Sequence, residues 1–393
     1  MSSSGIREPL PIAGGLSGRL EAALSGSQDG CRHDPARLPA TALPKQNLSA
    51  WIVAQRPPRA NADPFKPHGF FVEEERAASD RIVRSAVILL TNKQCPWRCL
   101  MCDLWQHTLP RTVPPGAIPR QIDFALAQLG EPPEQLKLYN SGSFFDSAAI
   151  PPADYRAIAG RVSFAKHLIV ESHPRLVGEK ALAFRDLLSG SLEVALGLET
   201  MHPEILPRLN KKFTLSQFAS AVEFLRRAGI TVRAFMLVKL PWMNEAEGVE
   251  WAVKSAAFAF DCGATVVSFI PTRPGNGVLD RLMAAGEFAP PQLASLERAQ
   301  ELAFNLRRGR VFADTWNLGQ FSTCSACLEP RQRRLHAVNL RQEILPAFHC
   351  PVCGQREMTP PASPHFAKRS AGTQRVLYST HQAPPAPTGN GST

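Results

Sequence analysis

No stretch of the 393-residue chain approaches the roughly 18 consecutive apolar residues of a membrane span. The opening Met-Ser-Ser-Ser-Gly-Ile-Arg-Glu also lacks the apolar core of a signal peptide. Both absences lead us to expect a soluble, cytoplasmic chain with no membrane partner. Acidic residues are the scarcer charge: 34 Asp and Glu against 44 Lys and Arg give a formal charge of +10 and favour an anionic partner. Isolated cysteines are few. Of nine, only Cys31 and Cys262 stand outside clusters with two- or three-residue gaps. That usage argues against a disulfide framework and for thiolates kept as metal ligands in a reducing compartment.

What the chain does have is one large domain's worth of alternating elements. Residues 1–45, rich in Ser, Gly, Pro and Ala, read as disordered with a short helix near Leu16–Leu24. Residues 46–84 form an extension that carries Trp51 and two strands around Ala77–Asp80. From 85 to 310, apolar strand-like runs (Ala86–Leu90, Leu136–Tyr139, His167–Glu171, Leu192–Leu198, Thr231–Leu237, Thr265–Ile270) interleave with helical patterns at 118–129, 175–188, 214–228, 244–261 and 290–308. That alternation predicts six β/α units on a parallel sheet with right-handed crossovers. A four-cysteine element covers 311–358. Residues 359–393, with six prolines and no period, read as a disordered tail.

The loop after the first of these strands carries Cys95, Cys99 and Cys102 in the spacing C-x3-C-x2-C. Iron–sulfur cubanes normally take four cysteine thiolates. Three leave one iron open to hold a small molecule. Three cysteines clustered by chance, or a zinc site whose fourth ligand lies elsewhere, are the alternatives.

With its strand, this loop resembles that of the radical S-adenosylmethionine (SAM) superfamily, and the resemblance extends over about residues 80–310. There is a looser likeness to the branch containing the Elongator catalytic subunit and RNA-modifying enzymes. The resemblance implies a partial (β/α)6 TIM-type barrel, an α/β fold, with a [4Fe-4S] cluster on Cys95, Cys99 and Cys102. It also implies reductive cleavage of SAM to a 5′-deoxyadenosyl radical that abstracts hydrogen, and an electron donor of flavodoxin or ferredoxin type. Met101 stands before the last cysteine, where the family often has an aromatic residue; a thioether packs in the same place.

Active sites of such barrels lie at the C-terminal ends of the strands. Asn140, Ser141, Gly142 and Ser143 follow the second strand, in the place of the family's Gly-Gly-Glu-like motif that binds the SAM amino group. Glu171 and Ser172 follow the third, where a carboxylate can accept from ribose hydroxyls, with His173 beside them as an acid or base or a structural residue. Glu199 and Thr200 end the fourth strand and resemble the family's polar contact to SAM, Thr200 also suiting a helix cap. Pro271 opens a Gly/Pro-rich loop that would lie near adenine. Arg233, Lys239 and Arg273 complete the list of candidates on the substrate side.

Cys324-x2-Cys327 and Cys350-x2-Cys353, separated by 22 residues, form a second set of ligands. Four thiolates in two knuckles suit structural zinc, though they would also hold an auxiliary iron–sulfur cluster. The basic run from Arg331 to His336 lies between them, and arginine forks suit phosphate. The chain therefore reads as a radical SAM enzyme with a C-terminal zinc-ribbon-like element, acting on RNA or on a small metabolite. A non-catalytic zinc-ribbon module that binds nucleic acid on a barrel scaffold is the reading from another class.

Overall fold

A computed structural model of the chain describes residues 43–354. Apart from residues 43–45, the segments expected to be disordered at the N-terminus, with Leu16–Leu24, lie outside the described residues, as does the tail. Eight strands form one curled sheet in sequence order, an open half-barrel. The first two strands, β1 (Gly69–Arg76) and β2 (Ile82–Leu89), make the antiparallel hairpin expected around Ala77–Asp80. All later pairings are parallel: β3 (Gln135–Tyr139), β4 (His167–Ser172), β5 (Ser191–Glu199), β6 (Thr231–Val238), β7 (Val266–Pro271) and β8 (Arg310–Ala313). The six expected β/α units are β2 to β7 with the helices that follow them. The four-residue β8 extends the sheet by one more parallel strand, too short to show a period in the sequence.

The helices are α1 (Leu48–Ala54), α2 (Ala117–Leu126), α3 (Tyr155–Arg161), α4 (Glu179–Arg185), α5 (Ile205–Arg208), α6 (Leu215–Arg227), α7 (Glu245–Cys262), α8 (Val278–Ala284), α9 (Leu293–Phe304) and α10 (Ser325–Arg341). The best read of these from sequence are the best capped. Thr214 and Gln217 close a capping box on α6, and Asn244 with Glu247 closes another on α7. The buried face of α6, Phe218, Ala219, Val222 and Leu225, lies at the expected helical spacing. Each large side chain so buried contributes about 1.5–3 kcal/mol.

Strand alternation divides the inner face of the sheet into two kinds of surface. Phe71, Val87, Tyr139, Ile169, Ala195, Val266 and Phe312 form an apolar cluster, with Phe235 packed against it, so every strand contributes. Two or four residues along the same strands, hence on the same face, stand Glu73, Glu75, Lys137, Glu193, Arg233 and Arg310, all buried. Arg233 reaches Glu75 on β1 at 2.8 Å and also pairs with Glu193 on β5. Lys137 binds both Glu73 and Glu75. Glu193, Arg233 and Arg310 occupy the first halves of their parallel strands and Lys137 the middle of β3, while Glu75 faces Val83 near the start of β2, away from the end where the cysteine loop leaves. Arg233, expected from the sequence on the substrate side, is thus paired as a strut across the half-barrel.

The C-terminal element is a helix and a knuckle, not a stranded ribbon, and it finishes the sheet. The Asn339 side chain on α10 accepts from Ala313 N at 3.0 Å and donates to Ala313 O at 2.7 Å. Gln342 does the same for Val311 N and O at 3.1 and 2.9 Å. Two side-chain amides thus satisfy backbone groups that the edge strand β8 would otherwise leave unpaired.

Candidate functional site

The cysteine loop lies across the C-terminal ends of the strands and is fastened from several directions. Gln121, buried in α2, accepts from Thr91 N at 2.8 Å and donates to Thr91 O at 2.7 Å, fixing the start of the loop. Asn210, after α5, donates to Arg98 O at 2.7 Å, and Leu100 N donates to Leu209 O at 2.9 Å. Asn276, in the loop after β7, donates to Leu100 O at 2.8 Å. Trp97 stacks on His173 with ring centroids 3.7 Å apart. A Cβ added at Gly142 would stand 3.3 Å from that of Cys95, so the loop after β3 approaches this cysteine closely. Burial pushes all three thiols up to about 12.

The loop after β3 is organised by Glu171. Its carboxylate accepts from the backbone N–H of Asn140, and Ser141 and Gly142 hydrogen-bond to it through their backbones as well. Ser141 adopts φ 54, which turns successive N–H groups toward one side. Burial raises the Glu171 carboxyl to about 7, and the backbone donors act against that rise. Ser143 Oγ and Ser172 Oγ share a hydrogen bond of 2.8 Å, tying the ends of β3 and β4 together. Asn140 is wholly buried, and neither its side-chain nitrogen nor its oxygen finds a hydrogen-bond partner among the described residues.

On the next strand end, Glu199 (φ 64) pairs with Lys211. Lys211 had no signal in the sequence. It stands between two left-handed residues, Asn210 at φ 55 and Lys212 at φ 62. Burial disfavours its charge, but Glu199 above all, with Cys99 and Cys102 also within electrostatic reach, outweighs burial and raises the ammonium pKa. A side chain at Gly197 would displace the ends of both Lys211 and Glu199, so the glycine leaves room for this pair.

The remaining candidates have defined positions. Met101 packs against the cluster that contains Ile52, Leu100 and Leu279. Thr200 Oγ1 accepts from His202 N at 3.1 Å, a local capping contact. Both ring nitrogens of His173 are engaged, one with Lys211 O at 2.8 Å and the other accepting from Arg175 N at 3.2 Å. With its ring against Trp97, it supports the loop. Lys239 is turned to Glu245 at the start of α7 and to Pro290 O at 3.3 Å. Pro271 ends β7, and Arg273 beyond it binds Asp314 at 2.6 Å and Trp316 O at 2.8 Å. Sequence reading also missed Gln121, Asn210 and Asn276, amides whose work depends on neighbours far along the chain.

The geometry distinguishes the two cysteine sets. Among the described residues, the one group whose ligand atoms all lie within 4.8 Å of one another is Cys324, Cys327, Cys350 and Cys353. Cys324 Sγ and Cys350 Sγ are 3.8 Å apart. Zn–S bonds of about 2.3 Å place tetrahedral sulfurs about 3.8 Å from each other, so this set fits one zinc. Cys95, Cys99 and Cys102 do not converge in that way, and thiolates on separate irons of one cluster need not. Three half-buried cysteines, a neighbouring cation and a buried amide without a partner among the described residues fit a cluster with a bound small molecule.

No family model matches the chain. An uncharacterized protein of Methanocaldococcus jannaschii is 25% identical over 304 residues, covering 72% of this chain and 83% of that protein. Archaeosine synthase subunit beta of Methanosarcina acetivorans is 24% identical over 54% of this chain and 65% of its own length. The same subunit of Thermococcus kodakarensis is 29% identical over 42% and 53%. The chain thus spans less than two thirds of either named subunit. Among solved structures, the queuine lyase of Clostridium spiroforme, bound to SAM and queuine, gives a TM-score of 0.39 at 19% identity, covering 52% of this chain and 80% of the other. A radical SAM methyltransferase of Kitasatospora setae gives 0.39 at 18%, covering 51% and 39%. The chain is similar to radical SAM enzymes.

Proposed function

We propose that this chain holds a [4Fe-4S] cluster on Cys95, Cys99 and Cys102 and cleaves SAM reductively to start radical chemistry on a nucleoside in RNA. The carrying observation is the fastening of the cysteine loop over the strand ends beside the wholly buried, unpartnered Asn140. When bound, the cluster supplies the electron that breaks the sulfonium and releases the 5′-deoxyadenosyl radical.

The chain's own residues bind and orient. Asn140 and the turn through Ser143 present amide and hydroxyl groups to the SAM amino group. Glu171 acts through that turn, because its carboxylate is already taken up by the turn's backbone N–H groups. This replaces its expected role at the ribose. Lys211, charged and beside Cys99, faces the SAM carboxylate. Glu199 holds the ammonium in place. Ser172 supports the turn through Ser143, and Pro271 and Thr200 shape the rim. Arg273 lies on the substrate side, beside Trp316. A flavodoxin or ferredoxin supplies the electron, and the second set of cysteines holds zinc.

A nucleoside is supported by the names of the two archaeal relatives, and an anionic carrier such as RNA by the net charge of +10. The arginines between the metal knuckles support it less than expected. Arg331 is paired with Glu297 and Arg334 with Glu301. A small-metabolite substrate is the second reading. No helix among the described residues is long and apolar enough to cross a membrane.

The test is anaerobic reconstitution with counting of iron and zinc, followed by dithionite and SAM. About four irons and one zinc per chain, with 5′-deoxyadenosine released, are expected. Label transferred from isotopically labelled RNA into 5′-deoxyadenosine would identify the substrate class, and transfer only from a small-molecule fraction would favour the second reading. Iron-free protein that releases no 5′-deoxyadenosine would overturn the proposal.

A further inference from the structure

The segment before β1 clasps the cysteine loop. Ile52 of α1 packs with Leu100, and Met101 lies against the same cluster. Asn210, which holds Arg98 O, also donates to Ser49 Oγ at 3.0 Å. Gln55 O sits against Gly277, whose φ of 83 and bare Cα leave no room for a side chain. Farther on, Ala60 N donates to Gln106 O at 3.1 Å, and Arg59 donates to Gln94 Oε1 at 2.8 Å and to Thr108 O at 3.2 Å. Between these ties lies Arg56. Its guanidinium stands 4.8 Å from the centre of the Trp105 ring, three residues beyond Cys102. Its Nε is buried without a hydrogen-bond partner among the described residues. Cys102 and Cys99 both lie within its electrostatic reach.

We infer that Arg56 is a positioning residue for the cluster's charge, a cation held by the N-terminal clasp over Trp105 at the end of the cysteine loop, that favours the reduced state. The inference rests on the cluster reading above. Reduction adds one electron, and hence one negative charge, next to three thiolates. A partly buried cation within electrostatic reach of the thiolates is weakly screened and stabilises the more negative state over the less negative one. Lys211 supplies positive charge from the strand ends, and Arg56 supplies it from the clasp. Electron delivery from a donor of fixed potential would then depend on a residue that lies outside the barrel.

The experiment is a potentiometric titration of the reconstituted full chain, followed by electron paramagnetic resonance of the reduced cluster. Arg56→Gln is expected to disfavour reduction at least tenfold, a midpoint about 59 mV more negative for one electron. Arg56→Lys, which keeps the charge, should stay near the parent. Arg59→Gln loosens the same clasp without removing the cation beside the cysteines and should leave the midpoint unchanged. A parental midpoint in Arg56→Gln would overturn the inference. So would an equal shift in Arg59→Gln, which would assign the effect to packing of the clasp. If Arg56→Gln takes up no iron, the Lys variant decides: a parental midpoint supports the inference, and a shifted one overturns it. A parent chain that binds no cluster refutes the proposed function itself, and this inference with it.

Discussion

At the scale of single residues, the cysteine loop makes a sharp separation between chemistry and folding. Its backbone is fixed by Gln121, Asn210, Asn276 and the stack of Trp97 on His173, none of which needs the thiol of Cys99. Cys99→Ala is therefore expected to abolish release of 5′-deoxyadenosine while leaving thermal unfolding within about 1 kcal/mol of the parent. Activity at the parental rate after anaerobic reconstitution would remove Cys99 from the site. Glu171 carries a subtler expectation. Glu171→Ala leaves the N–H groups of the 140–142 turn without their acceptor and should weaken SAM binding by about 1.5–3 kcal/mol, the range for a hydrogen bond to a charged group. Calorimetry with SAM and with its 2′-deoxyribosyl analogue separates the two roles. Equal losses fit action through the turn, whereas a loss confined to SAM would return Glu171 to the ribose. The cysteines were legible because their spacing is local. Lys211 was not, because its meaning comes from Glu199 and Cys99, which a folded turn brings to it.

Among the elements, the same contrast decides which were legible. α6 and α7 announce themselves by a capping box and a sustained period, and β2 to β7 by apolar runs between turns. The three-turn-or-shorter helices α3 and α8 and the four-residue β8 carry too little sequence for a period to emerge, and burial against the sheet settles them instead. The C-terminal element was legible as a metal site but not as a helix, since its sequence is polar and includes Pro330 near the start. Its anchorage changes what loss of the metal should do. Cys350→Ser removes one of four ligands, and the proposed zinc should leave. Helix α10 should persist, because Asn339, Gln342, and Arg331 through its bond to Glu297 hold it to β8 and α9. Limited proteolysis should then cut near residues 343–354 and spare 325–341, with the irons on the other cysteines retained. Cleavage throughout α10, or zinc still bound one per chain, would refute this division.

Over the whole molecule, the half-barrel is braced by buried charge at one end and open to chemistry at the other. Arg233 joins the first strand to the fifth and sixth, and removing it would leave Glu75 and Glu193 buried with less compensation. Breaking one side of such a pair typically destabilises by about 3–5 kcal/mol. Arg233→Met is expected to lose that much, with kcat per folded, cluster-loaded molecule unchanged, because Arg233 and Glu193 lie in the first halves of their strands and Glu75 faces Val83 near the start of β2. The effect should also depend on pH. Burial alone would raise the carboxyl of Glu193, but Arg233, His167 and Arg310 outweigh it and hold it below its ordinary value of 4.5. Glu75 is lowered in the same way, burial being outweighed by Arg233 and Lys137. A carboxylate depressed in the folded state contributes stability that is present above the unfolded pKa and lost as pH falls through the folded value. The parent's advantage over Arg233→Met should therefore be full at neutral pH and shrink as the pH is lowered below about 4.5, since the variant has less depressed carboxylate to lose. Denaturant titrations of both proteins at a series of pH values measure that difference. An advantage that stays constant into acid would mean that Arg233 stabilises by packing against Phe312, whose ring lies 5.6 Å from its guanidinium, rather than by charge. A fall in kcat of the loaded variant would restore it to the substrate side.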